Sequence, residues 1–148
     1  FGDYLRAEIA RAGGDPNSRE DLQNLGQRLV GLDAEGFCRS VLGAGGFKPG
    51  GDFIIDGVRH VDVYHILTRI AAPSTTRLVF LQADEQQRLS RVAGRPDKDD
   101  LPRAAKHRVE SELTTDLPGL ADVVINTSRP LDDVVSSCLV AIRDWQGR

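Results

Sequence analysis

The chain has 148 residues, 40% hydrophobic and 28% charged, enough to bury one core and too few for several domains. Its formal net charge of −3 argues against a nucleic-acid binder, which usually carries a basic surplus. No apolar run approaches the roughly 18 residues of a membrane span, so no membrane partner is expected either.

Residues 3–12 read as a short helix, with Asp3 as its N-cap and Gly13-Gly14 as its stop. Asp15-Pro16-Asn17 is a turn. Ser18, with Asp21 three positions on, opens a second helix that carries Leu22, Leu25 and Leu29 at helical spacing and ends at Gly31. Asp33 caps a third, which turns Phe37, Cys38, Val41 and Leu42 inward. Gly43 to Gly51 is a turn-rich connection. Phe53-Ile54-Ile55, Leu78-Val79-Phe80-Leu81 and Val123-Val124-Ile125 are short continuous apolar runs that suit parallel strands buried on both faces. Val63, Ile66, Leu67 and Ile70 predict a helix between the first two. Leu131, Val134, Val135, Cys138, Ile142 and Trp145 predict the last helix. Strands alternating with helices imply a single α/β domain over 1–148, a parallel sheet with crossover helices.

Cys38 and Cys138 sit in apolar helical patterns outside any CxxC or Cys/His cluster. They read as reduced core residues, which together with the lack of a visible signal peptide predicts a cytoplasmic protein. There is no methionine, and the chain opens on Phe1-Gly2-Asp3, so it reads as an excerpt of a longer protein.

Four constellations could carry chemistry, and each also has a plainer reading. Asp56-Gly57-Val58-Arg59 ends an apolar run. An acid there lies where open α/β sheets bind ligands and can hold the water shell of Mg²⁺, while Arg59 can meet a phosphate with a planar fork. It also reads as a strand end before a helix cap. Gly2-Asp3-Tyr4-Leu5-Arg6 reads as a capped helix start with an arginine one turn on. Arg88, Arg91 and Arg95 stand at i, i+3 and i+7 on one helix face, a charge density suited to a transferring phosphoryl group or to a solvated face screened by nearby acids. The stretch from Glu85 to Glu110 holds seven Lys and Arg around a loop at Gly94–Asp100. Asp122-Val-Val-Ile-Asn126-Thr127-Ser128 ends in small polar residues that suit close approach to a flat base, or a turn into the last helix.

The order of these segments is similar to the nucleoside monophosphate kinase family, in its adenylate-kinase-like and dephospho-coenzyme-A-kinase-like branch, and the resemblance runs from Phe1 to about Trp145. In that family a GDxLR segment opens the monophosphate-binding helices and a hydrophobic strand ends in DGxxR. A later helix carries RxxGR before a mobile lid, an arginine-bearing helix closes the lid, and a final strand leads to a loop touching adenine. The corresponding pieces here are Gly2 to Arg6, Asp56 to Arg59, Arg91 to Arg95, Arg108, and Asn126-Thr127-Ser128.

The resemblance implies a three-layer P-loop NTPase fold with sheet order 2-3-1-4-5, acceptor-binding helices in 1–50 and a lid in 95–110. It implies ATP-dependent phosphoryl transfer to a nucleoside or deoxynucleoside monophosphate or a similar small nucleotide. Dephospho-coenzyme A as acceptor, or a non-catalytic nucleotide-sensing module of a larger protein, are the alternatives. Arg6 and Arg59 would grip the acceptor's phosphate and Asp3 would order that site. Asp56 would be the acid near Mg²⁺. Arg91, Asn126, Thr127 and Ser128 would bind the ATP base, and Arg95 with Arg108 would neutralise the transferring group, all in one cleft. Two features depart from the pattern. No second arginine follows Arg108 before Leu117, and no GxxxxGK[ST] occurs anywhere in the chain. The family's strand 1 and P-loop would precede Phe1, which predicts a gap between residues 53–56 and 77–81 and exposed inner strand edges.

Overall fold

The computed structural model describes residues 1–93, 113 and 115–147. Helix α1 (Gly2–Arg11) starts one residue earlier than expected, with Phe1 and not Asp3 at the cap position. Asp3 instead lies in the first turn, where a negative charge suits the helix dipole. The predicted glycine stop is a left-handed turn at Gly13 (φ 80°). The Gly13 N–H donates to the Ala10 carbonyl and the Gly14 N–H to the Ile9 carbonyl, satisfying the helix's last acceptors.

Helix α2 (Arg19–Ala44) begins as the sequence predicts, with the Ser18 hydroxyl accepting from the Asp21 N–H at 3.2 Å. The two helices expected here are both present within α2 and meet at a kink at Asp33, whose backbone is non-helical (φ −158°, ψ 82°). The Asp33 carboxylate accepts from the Gly36 N–H at 2.8 Å and so recaps the second half. All the buried residues of α2, namely Phe37, Cys38, Val41 and Leu42, follow that break. Of these, Cys38 and Leu42 form one core cluster with Val63 and Leu67 of α3 (Val61–Ala71), whose apolar stripe lies inward as predicted. Glu35 ties the two helices further, accepting from Arg39 and from Arg69 at 2.8 Å each. The Arg39 and Arg69 guanidiniums hold its carboxyl below the ordinary value.

Strand β1 (Val79–Gln82) leads through the Asp84 cap into α4 (Glu85–Val92). A short turn, α5 (Leu117–Leu120), precedes strand β2 (Val123–Asn126) and helix α6 (Leu131–Gln146). Strands β1 and β2 pair in parallel, Val79 opposite Val123 through Gln82 opposite Asn126. Asp122 sets that register: its carboxylate accepts from the Leu78 N–H and from Arg77, each at 2.8 Å.

Among the described residues this is the only ladder, and residues 53–56 belong to no strand. The expected burial of the apolar runs on both faces is therefore not seen. Ile54 is 87% exposed, Leu81 56% and Val124 45%. Among the described residues, α6 packs against β2 of this two-stranded sheet. The last helix differs likewise: Val134 is buried, while Leu131 and Val135 are exposed. Cys38 is fully buried and Cys138 half-buried, both as free thiols, and burial pushes the Cys38 thiol up to about 11. Among the described residues, no helix is long and apolar enough to cross a membrane.

Candidate functional site

A cavity of about 570 Å³ opens between α1, the first half of α2 and the segment that enters α3. That volume is within the range of small-molecule sites, roughly 300–1,000 Å³. Three glycines shape it. At Gly26 a Cβ would stand 3.3 Å from a methyl of Leu5, so its absence lets α1 and α2 approach closely. At Gly2 a Cβ would stand 3.0 Å from the Arg6 guanidinium, which lies over the helix start. Gly57 adopts φ 83°, a left-handed turn that redirects the chain between Asp56 and Arg59. The Phe1 backbone nitrogen lies 3.0 Å from the Asp56 carbonyl oxygen, which places the beginning of α1 beside that turn.

Arg6, Asp56 and Arg59, singled out from two segments far apart in sequence, line this one cavity. Arg19 lines it too. It was invisible to motif reasoning, its only local signal being its place at the first position of a capped helix. The lining thus brings three guanidiniums and one carboxylate to one cavity, side chains of the kind that meet phosphates. Asp3 is not part of the lining. It accepts from Arg6 at 3.1 Å with its own side chain fully in solvent, so its effect on the site passes through Arg6. Asp56-Gly57-Val58-Arg59 has one residue between glycine and arginine where DGxxR has two. The match to that pattern is one of residue types, and Arg59 reaches the cavity at the shorter spacing.

A second group sits at the carboxyl ends of the two strands, the end where parallel sheets bind ligands. Arg91 of α4 donates to the Thr127 hydroxyl at 3.3 Å and also to the Thr127 carbonyl. The Thr127 hydroxyl donates in turn to the Gln82 carbonyl at 3.1 Å, and the Ser128 hydroxyl to Asp84 at 3.0 Å. The Asn126 side chain accepts from the Ser128 N–H at 2.7 Å. The loop is thus held by its polar groups and by those of Gln82 and Asp84, and Arg91 reaches it at Thr127. Arg91 does not line the cavity that holds Arg59, so these two arginines belong to separate groups. Arg95 and Arg108, with the rest of the 95–110 lid region, lie outside the described residues.

Among the described residues, no group of three or more His, Cys, Asp or Glu side chains is placed to hold a metal ion. Asp56 as a single carboxylate suits magnesium that arrives on a nucleotide, because that ion keeps several waters and needs only one or two protein carboxylates. Compared with known proteins, the chain matches no family model, no curated protein and no solved structure.

Proposed function

We propose that the cavity between α1, α2 and residues 56–63 is the acceptor site of a nucleotide kinase, which transfers the terminal phosphoryl group of MgATP to a nucleoside monophosphate. The observation that supports this reading is the meeting of Arg6, Arg59 and Asp56 in the lining of one cavity. Arg6 and Arg59 grip the acceptor's phosphate, and Arg19 adds a third cation. Asp3 steadies Arg6. Asp56 holds waters of the magnesium that ATP brings with it. Arg91 and the loop Asn126-Thr127-Ser128 form the wall for the ATP base. Arg95 and Arg108 neutralise the transferring group, where charge is needed most in the transition state. The reading also requires a phosphate-cradling loop with its lysine, and no GxxxxGK[ST] occurs in these 148 residues.

The test is steady-state kinetics of the full-length protein with MgATP and nucleoside monophosphates. Arg59→Ala is expected to raise the acceptor KM with little change in kcat, and Arg95→Ala to lower kcat. Losing one strong charge-assisted contact costs on the order of 2–4 kcal/mol, roughly 30- to 1,000-fold. Wild-type parameters in both variants would refute the assigned roles, and no monophosphate-dependent ADP formation would refute the kinase reading.

A further inference from the structure

The same cavity holds a polar group that phosphate binding does not account for. Gln23 lines it, and the Gln23 side-chain amide nitrogen is buried with no hydrogen-bond partner among the described residues. Folded proteins rarely leave such a group unmet, and its cost is repaid when a ligand supplies the missing atom. The conclusion holds for either orientation of the amide, since a buried carbonyl oxygen at that position would need a partner just as much.

The surroundings indicate what kind of ligand. Gln27 follows Gln23 by one turn on the same face of α2 and also lines the cavity. Gly26 beside them offers no side chain, and Leu22, Val30 and Val63 present apolar surface. A lining of apolar walls with amide groups set among them suits a flat ligand with apolar faces and a polar edge. Every nucleobase has adjacent donor and acceptor atoms on its edge, and a primary amide is a side chain that offers a donor and an acceptor side by side.

We propose that Gln23 is a specificity-determining residue that reads the edge of a nucleobase, so that this cavity takes a nucleoside monophosphate in preference to a phosphorylated compound without a base. The inference rests on the reading of the cavity as a phosphate site.

The experiment is calorimetric titration of the full-length protein with AMP, CMP, GMP, UMP and ribose 5-phosphate, for wild type, Gln23→Leu and the unbranched Gln23→Met. Wild type is expected to bind at least one of the four nucleotides about tenfold or more tighter than ribose 5-phosphate. Both variants should lose about tenfold in affinity for that nucleotide and keep the wild-type affinity for ribose 5-phosphate. The unliganded variants should also melt at or above the wild-type temperature, because they no longer bury an unmet polar atom, whereas a glutamine of purely structural value would lower it. A nucleotide preference that survives in both variants overturns the role of Gln23. Nucleotides bound no better than ribose 5-phosphate overturn the base-reading proposal while leaving the phosphate site standing. Binding of neither kind of ligand removes the phosphate site, and the proposal with it.

Discussion

Asp122 is the place where one side chain controls strand register. Its carboxylate accepts from the Leu78 N–H and from Arg77, both at 2.8 Å, immediately before β1 and β2 pair. Asp122→Ala removes both bonds. A hydrogen bond to a charged acceptor contributes about 1.5–3 kcal/mol, but Arg77 is 40% exposed, so its half of the interaction is screened and adds less than about 1 kcal/mol. The expected loss is about 2 kcal/mol, or roughly 4–8 °C in Tm for a domain of this size. Asp122→Asn keeps an acceptor for Leu78 and loses the ion pair, so it should cost about half as much.

The pH dependence adds a second check. Burial pushes the Asp122 carboxyl up, but the Leu78 amide and the Arg77 guanidinium outweigh burial and hold it below the ordinary value. Its stabilising contribution is therefore complete above the unfolded value of about 3.9 and lost as pH falls through the lower folded value. Urea denaturation of the full-length protein at steps from pH 7 to pH 3 should show the advantage of wild type over Asp122→Asn shrinking at the acid end. A gap that stays constant over that range, or an Asp122→Ala variant as stable as wild type at pH 7, would refute the reasoning.

Gly57→Ala forces a Cβ into a left-handed backbone and should cost about 1–2 kcal/mol, with weakened acceptor binding, since Asp56 and Arg59 flank that turn; unchanged calorimetric affinity and stability would count against it. In Gly36→Ala the new Cβ would lie 2.2 Å from an Asp33 carboxylate oxygen, so the cap should break, with a loss of about 1 kcal/mol read by denaturant titration. Cys38, buried and with its thiol pushed up to about 11, should resist alkylation at pH 8 in the native protein and react only in denaturant, as mass spectrometry would show.

Features governed by neighbours in the chain were legible in the sequence. Ser18 and Asp33 both cap helices, because a short oxygen-bearing side chain can reach an N–H three residues on without any tertiary help. Gly13 ends its helix in a left-handed turn, as a glycine stop suggests. Asp3 shows the limit of that logic. It has the chemistry of a cap, but the helix gains a turn residue by starting at Gly2, and Asp3 serves Arg6 instead. What depends on distant partners was not legible. Ile54, Leu81 and Val124 look like core in a sequence, and whether they are core depends on what lies against the sheet. Arg19 and Gln23 belong to no motif and acquire meaning only when α1 and the 56–63 segment come to face them. The Thr127 and Ser128 hydroxyls suggested ligand contacts, yet both donate to the end of β1 and the cap of α4.

The break at Asp33 makes α2 a lever with its fulcrum in the middle. Beyond Asp33 the rod is anchored by its buried side chains and by Glu35 to Arg69. Before it, no α2 residue is buried, and that arm carries Arg19, Gln23 and Gln27 along the cavity wall. From Arg19 to Asp33 the arm is about 21 Å long at 1.5 Å per residue. A swing of about 10° at the fulcrum would carry the Arg19 end roughly 4 Å while moving Val30, close to the pivot, by less than about 1 Å. The place of Arg19 in the lining thus depends on the backbone angles at Asp33 far more than that of Val30 does, with α1 packed on the same arm at Gly26.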